Sequence, residues 1–193
     1  MSAAAERRLA RRLGVLQGWL TRLYRLDLCF EAKHFVMSPE RARSLLPLPS
    51  PRSGVVALEE ADTLWLGVYL DPRDRCQLGA LVEETSHLVC LAWHAEIGRS
   101  VSRLMLELQG EVDQYLVGRL AGRDGLAHFR GFRWARWMDG TTRERYATAH
   151  RVAHRYCRWL SRRFPRRSDT PALLRELRAF YRAPSEEKLR AGV

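Results

Sequence analysis

The chain predicts an α+β fold, with a small, mostly antiparallel sheet in the N-terminal third followed by a helical majority. Three observations carry this. Two runs rich in β-branched and aromatic residues, Gly54–Leu58 (GVVAL) and Thr63–Leu70 (TLWLGVYL), flank Glu59-Glu60-Ala61-Asp62, a polar turn of hairpin length. From Cys76 onward, apolar residues recur every three or four positions in segments 76–97, 100–122, 142–164 and 171–182. Residues 4–24 share that period at Leu9, Leu13, Leu16, Trp19, Leu20 and Leu23. At 193 residues the chain suits one domain with its own core. Its parts are an N-terminal amphipathic helix (1–24), a sheet region (25–70) and a helical region (76–193).

Taken in order, the first helix sets its apolar stripe against Arg7, Arg8, Arg11, Arg12 and Arg22, a basic face expected in solvent. Asp27–Met37 (DLCFEAKHFVM) alternates weakly and is expected as a strand or strand-like connection. Ser38-Pro39-Glu40 reads as a helix start, with serine as N-cap, proline in the first turn and an acid beside it. Prolines 47, 49 and 51 end that helix, and residues 46–54 form a loop. In the second strand Leu64, Leu66, Val68 and Leu70 share one face, and Trp65, Gly67 and Tyr69 the other. Two apolar faces imply cover on both sides or an aromatic surface. The aromatic and basic segment His128–Asp139 is expected as a loop with a short helical turn.

The net charge of +11 and pI near 10.3 come almost wholly from arginine; the only lysines are Lys33 and Lys188. Such a surface attracts acidic proteins or nucleic acid. No window is apolar for the length of a membrane span, and the charged start MSAAAERRLARRLG lacks the apolar run of a secretion signal. Cys29, Cys76, Cys90 and Cys157 are far apart and form no CxxC pair. They read as reduced thiols, so the expected location is cytoplasmic.

The chemistry concentrates in two helices. In Leu78–His94 (LGALVEETSHLVCLAWH), Leu78, Leu81, Val82, Leu88, Val89, Ala92 and Trp93 form one broad apolar face. Glu83, His87, Cys90 and His94 stack opposite, in steps of four, three and four residues, with Glu84 beside them. The stripe fits either a solvent face or a polar site covered by protein. The next helix is apolar round nearly its whole circumference, yet it holds Glu107 and Glu111 one turn apart. A buried carboxylate demands a cation, a hydrogen-bond network or a raised pKa. Asp113 is expected to point elsewhere, towards solvent. Tyr146, His150 and His154 form a third stripe; a His pair at that spacing can bind one metal from one helix face, or can sit wet on a basic surface.

A strand, a short loop and a helix carrying Glu83-Glu84-Thr85-Ser86-His87 resemble the core of the zincin metallopeptidases, whose strand is followed by an HExxH helix and a later ligand, often glutamate. The resemblance spans residues 54–116. It implies a zincin-like fold, with one divalent metal (zinc, or manganese or iron) held by Glu83, His87 and Glu111. Glu84 takes the general-base position, and Glu107 substitutes for Glu111 or supports it. Glu83 departs from the pattern by standing where the first ligand histidine belongs. Two carboxylates make the site more negative and widen the choice of metal. The chemistry implied is peptide or amide hydrolysis, or the inactive vestige of it. His150 and His154 are further candidate ligands. Glu84-x-x-His87 is also similar to half of the ferritin-like carboxylate bridge, although a second E-x-x-H is absent and two strands do not belong in that bundle. The alternative class is a non-catalytic interaction or scaffold protein. There the Glu/His/Arg network fixes helix packing and the basic surface binds an acidic partner or nucleic acid.

Overall fold

A computed structural model describes residues 3–45, 53–61, 63–74, 77–131 and 139–192. It is 69% helical with one two-stranded antiparallel sheet, an α+β architecture. Two compact units emerge. One comprises Met1–Arg22 and Leu26–Ser100; the other comprises Leu23–Arg25 and Val101–Val193.

In the first unit, helix α1 (Ala3–Tyr24) buries Leu9, Leu13 and Leu20 and leaves Arg7, Arg8, Arg11 and Arg22 exposed, as its periodicity requires. Gln17 is the exception on the buried face. Its amide nitrogen donates to the Phe30 carbonyl at 2.7 Å and its oxygen accepts from the Ala32 N–H at 2.6 Å. Of the strand or strand-like connection expected over 27–37, this clamp leaves the connection. Backbone groups that a strand would pair are satisfied by a side chain instead, and Ala32–Phe35 then coils into a 3₁₀ turn. Only Val36 bridges Val68, in parallel, and the Met37 N–H donates to the Val68 carbonyl at 2.8 Å. Helix α2 (Pro39–Leu45) starts where Ser38 and Pro39 place it, and the Ser38 hydroxyl accepts from the Arg41 N–H. Of the loop expected over 46–54, residues 46–52 lie outside the described residues.

Strands β1 (Gly54–Glu60) and β2 (Thr63–Tyr69) pair from Gly54↔Tyr69 to Glu60↔Thr63. The turn is therefore tighter than four residues, and Ala61 reverses the chain with φ 49°. Burial grades along the hairpin: Gly67, Val68 and Tyr69 are buried, whereas Leu58, Leu64 and Trp65 are exposed, Trp65 to 60%. Helix α3 (Leu78–Glu96) packs on both strands. Leu9, Leu13, Ala32, Val68, Leu70, Leu81 and Leu88 form the core of this unit, each leucine contributing roughly 1.5–3 kcal/mol by leaving water. Gly98, with φ 64°, closes the helix.

In the second unit, helix α4 (Arg103–Leu120) is capped by Ser102 and α6 (Gly140–Arg163) by Asp139, whose carboxylate accepts from the Thr142 N–H at 2.7 Å. These two helices pack along their length. Their core adds Leu108, Val112, Tyr115, Leu116, Ala153, Cys157 and Leu160 to Leu173 and Leu177 of α7 (Thr170–Arg182). Tyr156 stacks on Phe180 at 4.2 Å between ring centroids, and Tyr24 on Tyr181 at 4.3 Å. The short helices α5 (Ala127–Arg130) and α8 (Ser185–Arg190) complete it. Of the aromatic segment 128–139, residues 132–138 lie outside the described residues, and the helical turn expected near its start is α5.

A close approach fixes α5. Gly118 and Gly125 meet where the chain doubles back after α4; a Cβ on Gly125 would lie 2.6 Å from the Tyr115 carbonyl oxygen. Only glycine lets the loop come this near, and α5 begins two residues later.

Candidate functional site

Glu83, Glu84 and His87 all stand on α3 in the first unit, while Glu107, Glu111, His150 and His154 stand in the second. The α3 stripe is covered. Glu83 is half-buried, Glu84 is 5% exposed, His87 8%, and Cys90 is buried. The solvent-face reading of this stripe therefore does not describe the fold. Glu83 and His87, one turn apart, each offer a ligand atom within 4.8 Å of the other's. They are a carboxylate and an imidazole of the kind that hold a divalent metal. Glu84 Oε2 lies 3.4 Å from His87 Nδ1 but accepts no hydrogen bond from the described residues. Further along the helix, His94 Nδ1 meets the Cys90 carbonyl at 2.8 Å, which turns that ring back onto its own helix.

The second unit builds a different constellation around Glu111, which is 7% exposed. His128 Nε2–H donates to Oε2 of Glu111, and His150 Nδ1–H donates to Oε1 at 3.1 Å. Three elements supply the cluster: α4 the carboxylate, α6 His150, and α5 His128, delivered by the tight turn at Gly125. Burial pushes the Glu111 carboxyl up, but the two imidazole bonds and their charges outweigh it, and the group sits below the ordinary carboxylate value. Phe129 backs the cluster, 5.3 Å from the His150 ring and stacked at 4.9 Å on His154. Burial, Arg158 and His150 hold the His154 imidazole below its ordinary value, so it is the neutral form that lies on Phe129. The histidine pair of α6 thus divides, with His150 on the carboxylate and His154 on an aromatic ring.

The other carboxylates of α4 take structural partners. Glu107 faces Arg145 Nε at 3.7 Å. Asp113, expected towards solvent, is 1% exposed. The Tyr24 hydroxyl donates to it, and Gln109 Nε2 donates to it at 3.1 Å and to the Tyr24 oxygen at 3.2 Å. The correction follows from Tyr24, whose ring, stacked on Tyr181, presents a hydroxyl where only a buried acceptor satisfies it. The thiol of Cys157 is buried and pushed well up by desolvation, then by Glu111 and Asp113. Cys29 is exposed, Cys90 is buried, and Cys76 lies outside the described residues. Arg151, Arg155, Arg158 and Arg162 border a cleft of about 460 Å³ on α6 with Trp159. Arg155 is tied down by bonds to the Leu189 and Ala191 carbonyls.

His128 was missed in the sequence. It is a single histidine in a short apolar run, seventeen residues after Glu111, and no helical period links the two. The signal that points to it is Gly118 with Gly125, which marks a reversal bringing the residues after 125 back along α4. Comparison with protein-family models, curated proteins and solved structures finds no match. Among the described residues no helix is long and apolar enough to cross a membrane.

Proposed function

We propose that the protein is a zincin-like, divalent-metal-dependent hydrolase of peptide or amide bonds, with its chemistry on α3. The observation that carries this reading is the covered stripe: ligand atoms of Glu83 and His87 within 4.8 Å of one another, beside a Glu84 carboxylate oxygen that no donor among the described residues satisfies. The donor types fit a divalent metal, and Glu83 and His87 would supply two of the three protein ligands that a catalytic zinc takes. One carboxylate and one imidazole on adjacent turns suit zinc, manganese or iron. Bound there, the ion would supply an acidified water and a polarised carbonyl. Glu83 and His87 would hold it. Nδ1 of His87 lies on the Glu84 side, 3.4 Å from Oε2, so Nε2 is the nitrogen that would take the ion. Oε2 of Glu84, met by no donor among the described residues, would take the proton of that water.

Elemental mass spectrometry on the untagged full chain, with a peptide-hydrolysis screen, tests this. The expected result is one equivalent of metal, lost in His87→Ala and retained in Glu84→Gln. Hydrolysis in Glu84→Gln should fall about 10²–10⁴-fold, the usual contribution of a general base. Wild-type hydrolysis by Glu84→Gln, or unchanged metal in His87→Ala, would sink it.

A further inference from the structure

We propose that the arginine stripe of α6 in the second unit binds single-stranded nucleic acid, with its guanidinia on the phosphates and a base stacked at Trp159. The site shares no residue with the α3 reading and does not rest on it.

The charge of the chain is not spread evenly. Residues 146–168 carry seven arginines and no aspartate or glutamate, whereas the rest of the chain holds 26 basic and 22 acidic side chains. Most of the net charge of +11 therefore falls on this one stretch. A general preference for arginine over lysine does not produce this, because it exchanges one cation for another and leaves the acids in place. Elsewhere the surface intersperses the two signs, with Arg43 on Glu40, Arg130 on Asp124 and Arg190 on Glu186. Along α6, Arg151, Arg155, Arg158 and Arg162 recur in steps of four, three and four. That spacing stacks them on one face over roughly 16 Å of helix. All four are exposed, and among the described residues none joins an ion pair. Like charges at this spacing repel, and an anion that spans the row relieves them.

The row borders a cleft of about 460 Å³. Arg155 is pinned there by the Leu189 carbonyl at 2.7 Å and the Ala191 carbonyl at 3.1 Å. These bonds orient the guanidinium without neutralising it, and they use two of its five N–H groups. Trp159 decides which polyanion fits. Its half-buried indole lines the cleft beside Arg158. Tyr156 stacks against it, 6.0 Å between centroids and 14° from parallel, and Tyr156 itself stacks on Phe180. Phe164 meets the indole edge-on. A ring held this way is a fixed flat surface for the face of a base, and an acidic side chain gains nothing from it. In a duplex the base faces already cover one another, so a recessed indole is reached by an unpaired base.

The test follows the anisotropy of a fluorescein-labelled twelve-nucleotide oligothymidylate with the full chain across a salt series. Arg158→Ala/Arg162→Ala removes two exposed phosphate contacts. Its salt slope should be shallower by about 1.4, which at about 0.1 M salt is about 25-fold weaker binding. Trp159→Leu should bind about 5–150-fold more weakly at an unchanged slope, the range for one base stacked on an aromatic ring. Arg7→Ala/Arg8→Ala removes the same charge from the exposed face of α1 and should stay within about twofold of wild type. Thermal unfolding checks each variant. Should Trp159→Leu lose the fold, the two arginine pairs and the duplex comparison decide. Equal losses in the α1 and α6 pairs would reduce the binding to net charge and overturn the proposal. So would no binding by the wild type, unchanged binding by a folded Trp159→Leu, or tighter binding of the matching duplex. Oligo-glutamate that displaced the probe as readily as unlabelled oligothymidylate would assign the stripe to an acidic protein instead.

Discussion

Replacing His87 with alanine probes the α3 stripe most directly. The imidazole is 8% exposed and Glu84 beneath it 5%. Removing the imidazole leaves the Glu84 carboxyl desolvated without its polar neighbour, and an uncompensated buried polar group costs about 1–3 kcal/mol. The Nδ1–Oε2 separation of 3.4 Å, with no hydrogen bond completed, keeps the loss to about 2 kcal/mol. For a chain of this size each kcal/mol moves Tm by about 2–4 °C, so His87→Ala should melt about 4–8 °C below the wild type. Circular dichroism on chelator-treated protein reads this without any metal contribution. The double variant Glu84→Gln/His87→Ala identifies the cause. Glutamine removes the stranded charge, so the double variant should recover at least about 1 kcal/mol relative to additivity. A His87→Ala midpoint within about 2 °C of wild type, or strictly additive losses, would refute the claim that the pair is buried and coupled.

The remaining predictions concern the second unit. Tyr24→Phe deletes a hydroxyl donor to the buried Asp113 carboxylate and should cost about 1.5–3 kcal/mol in urea unfolding, the range for a hydrogen bond to a charged group; a loss under about 0.5 kcal/mol would show that Gln109 alone suffices. Cys157 should resist alkylation at pH 8.5 while Cys29 is labelled, because burial and two nearby carboxylates disfavour the thiolate. Peptide mapping that found Cys157 labelled as fast as Cys29 in the native protein would contradict this.

Much of the fold was legible in the sequence, because it rests on periodicity and capping. The helices α1, α3, α4, α6 and α7 follow their apolar spacing, and Ser38-Pro39 starts α2 as read. What failed depends on single long-range bonds. Residues 27–37 alternate weakly enough to leave a strand and a strand-like connection both open, and a glutamine thirteen positions from Phe30 decides for the connection. Asp113 lies next to the apolar Val112, and nothing local announces that Tyr24 reaches it. α8 is six residues long, under two turns, so it shows no period. The candidate residues divide the same way. Glu83, Glu84 and His87 stand out as an i, i+1, i+4 pattern, and Glu111 as a carboxylate on an apolar helix. His128 belongs with Glu111 only through a turn whose glycines reveal their purpose once the approach distances are known.

The graded burial of the β1–β2 hairpin sets how it moves. Its base is held on both sides, by the Val36 and Met37 bonds to Val68 and by α3 packing beneath. At its tip, Leu58, Leu64 and Trp65 meet water, so the last rungs of the ladder are sustained by hydrogen bonds that solvent can replace. Such a ribbon opens like a zipper from the turn. Amides near Glu60 and Thr63 exchange through frequent short openings, while those at Val55 and Val68 wait for larger fluctuations of the unit. The hairpin is thus held most firmly at its Gly54–Tyr69 end, the end that packs with α3.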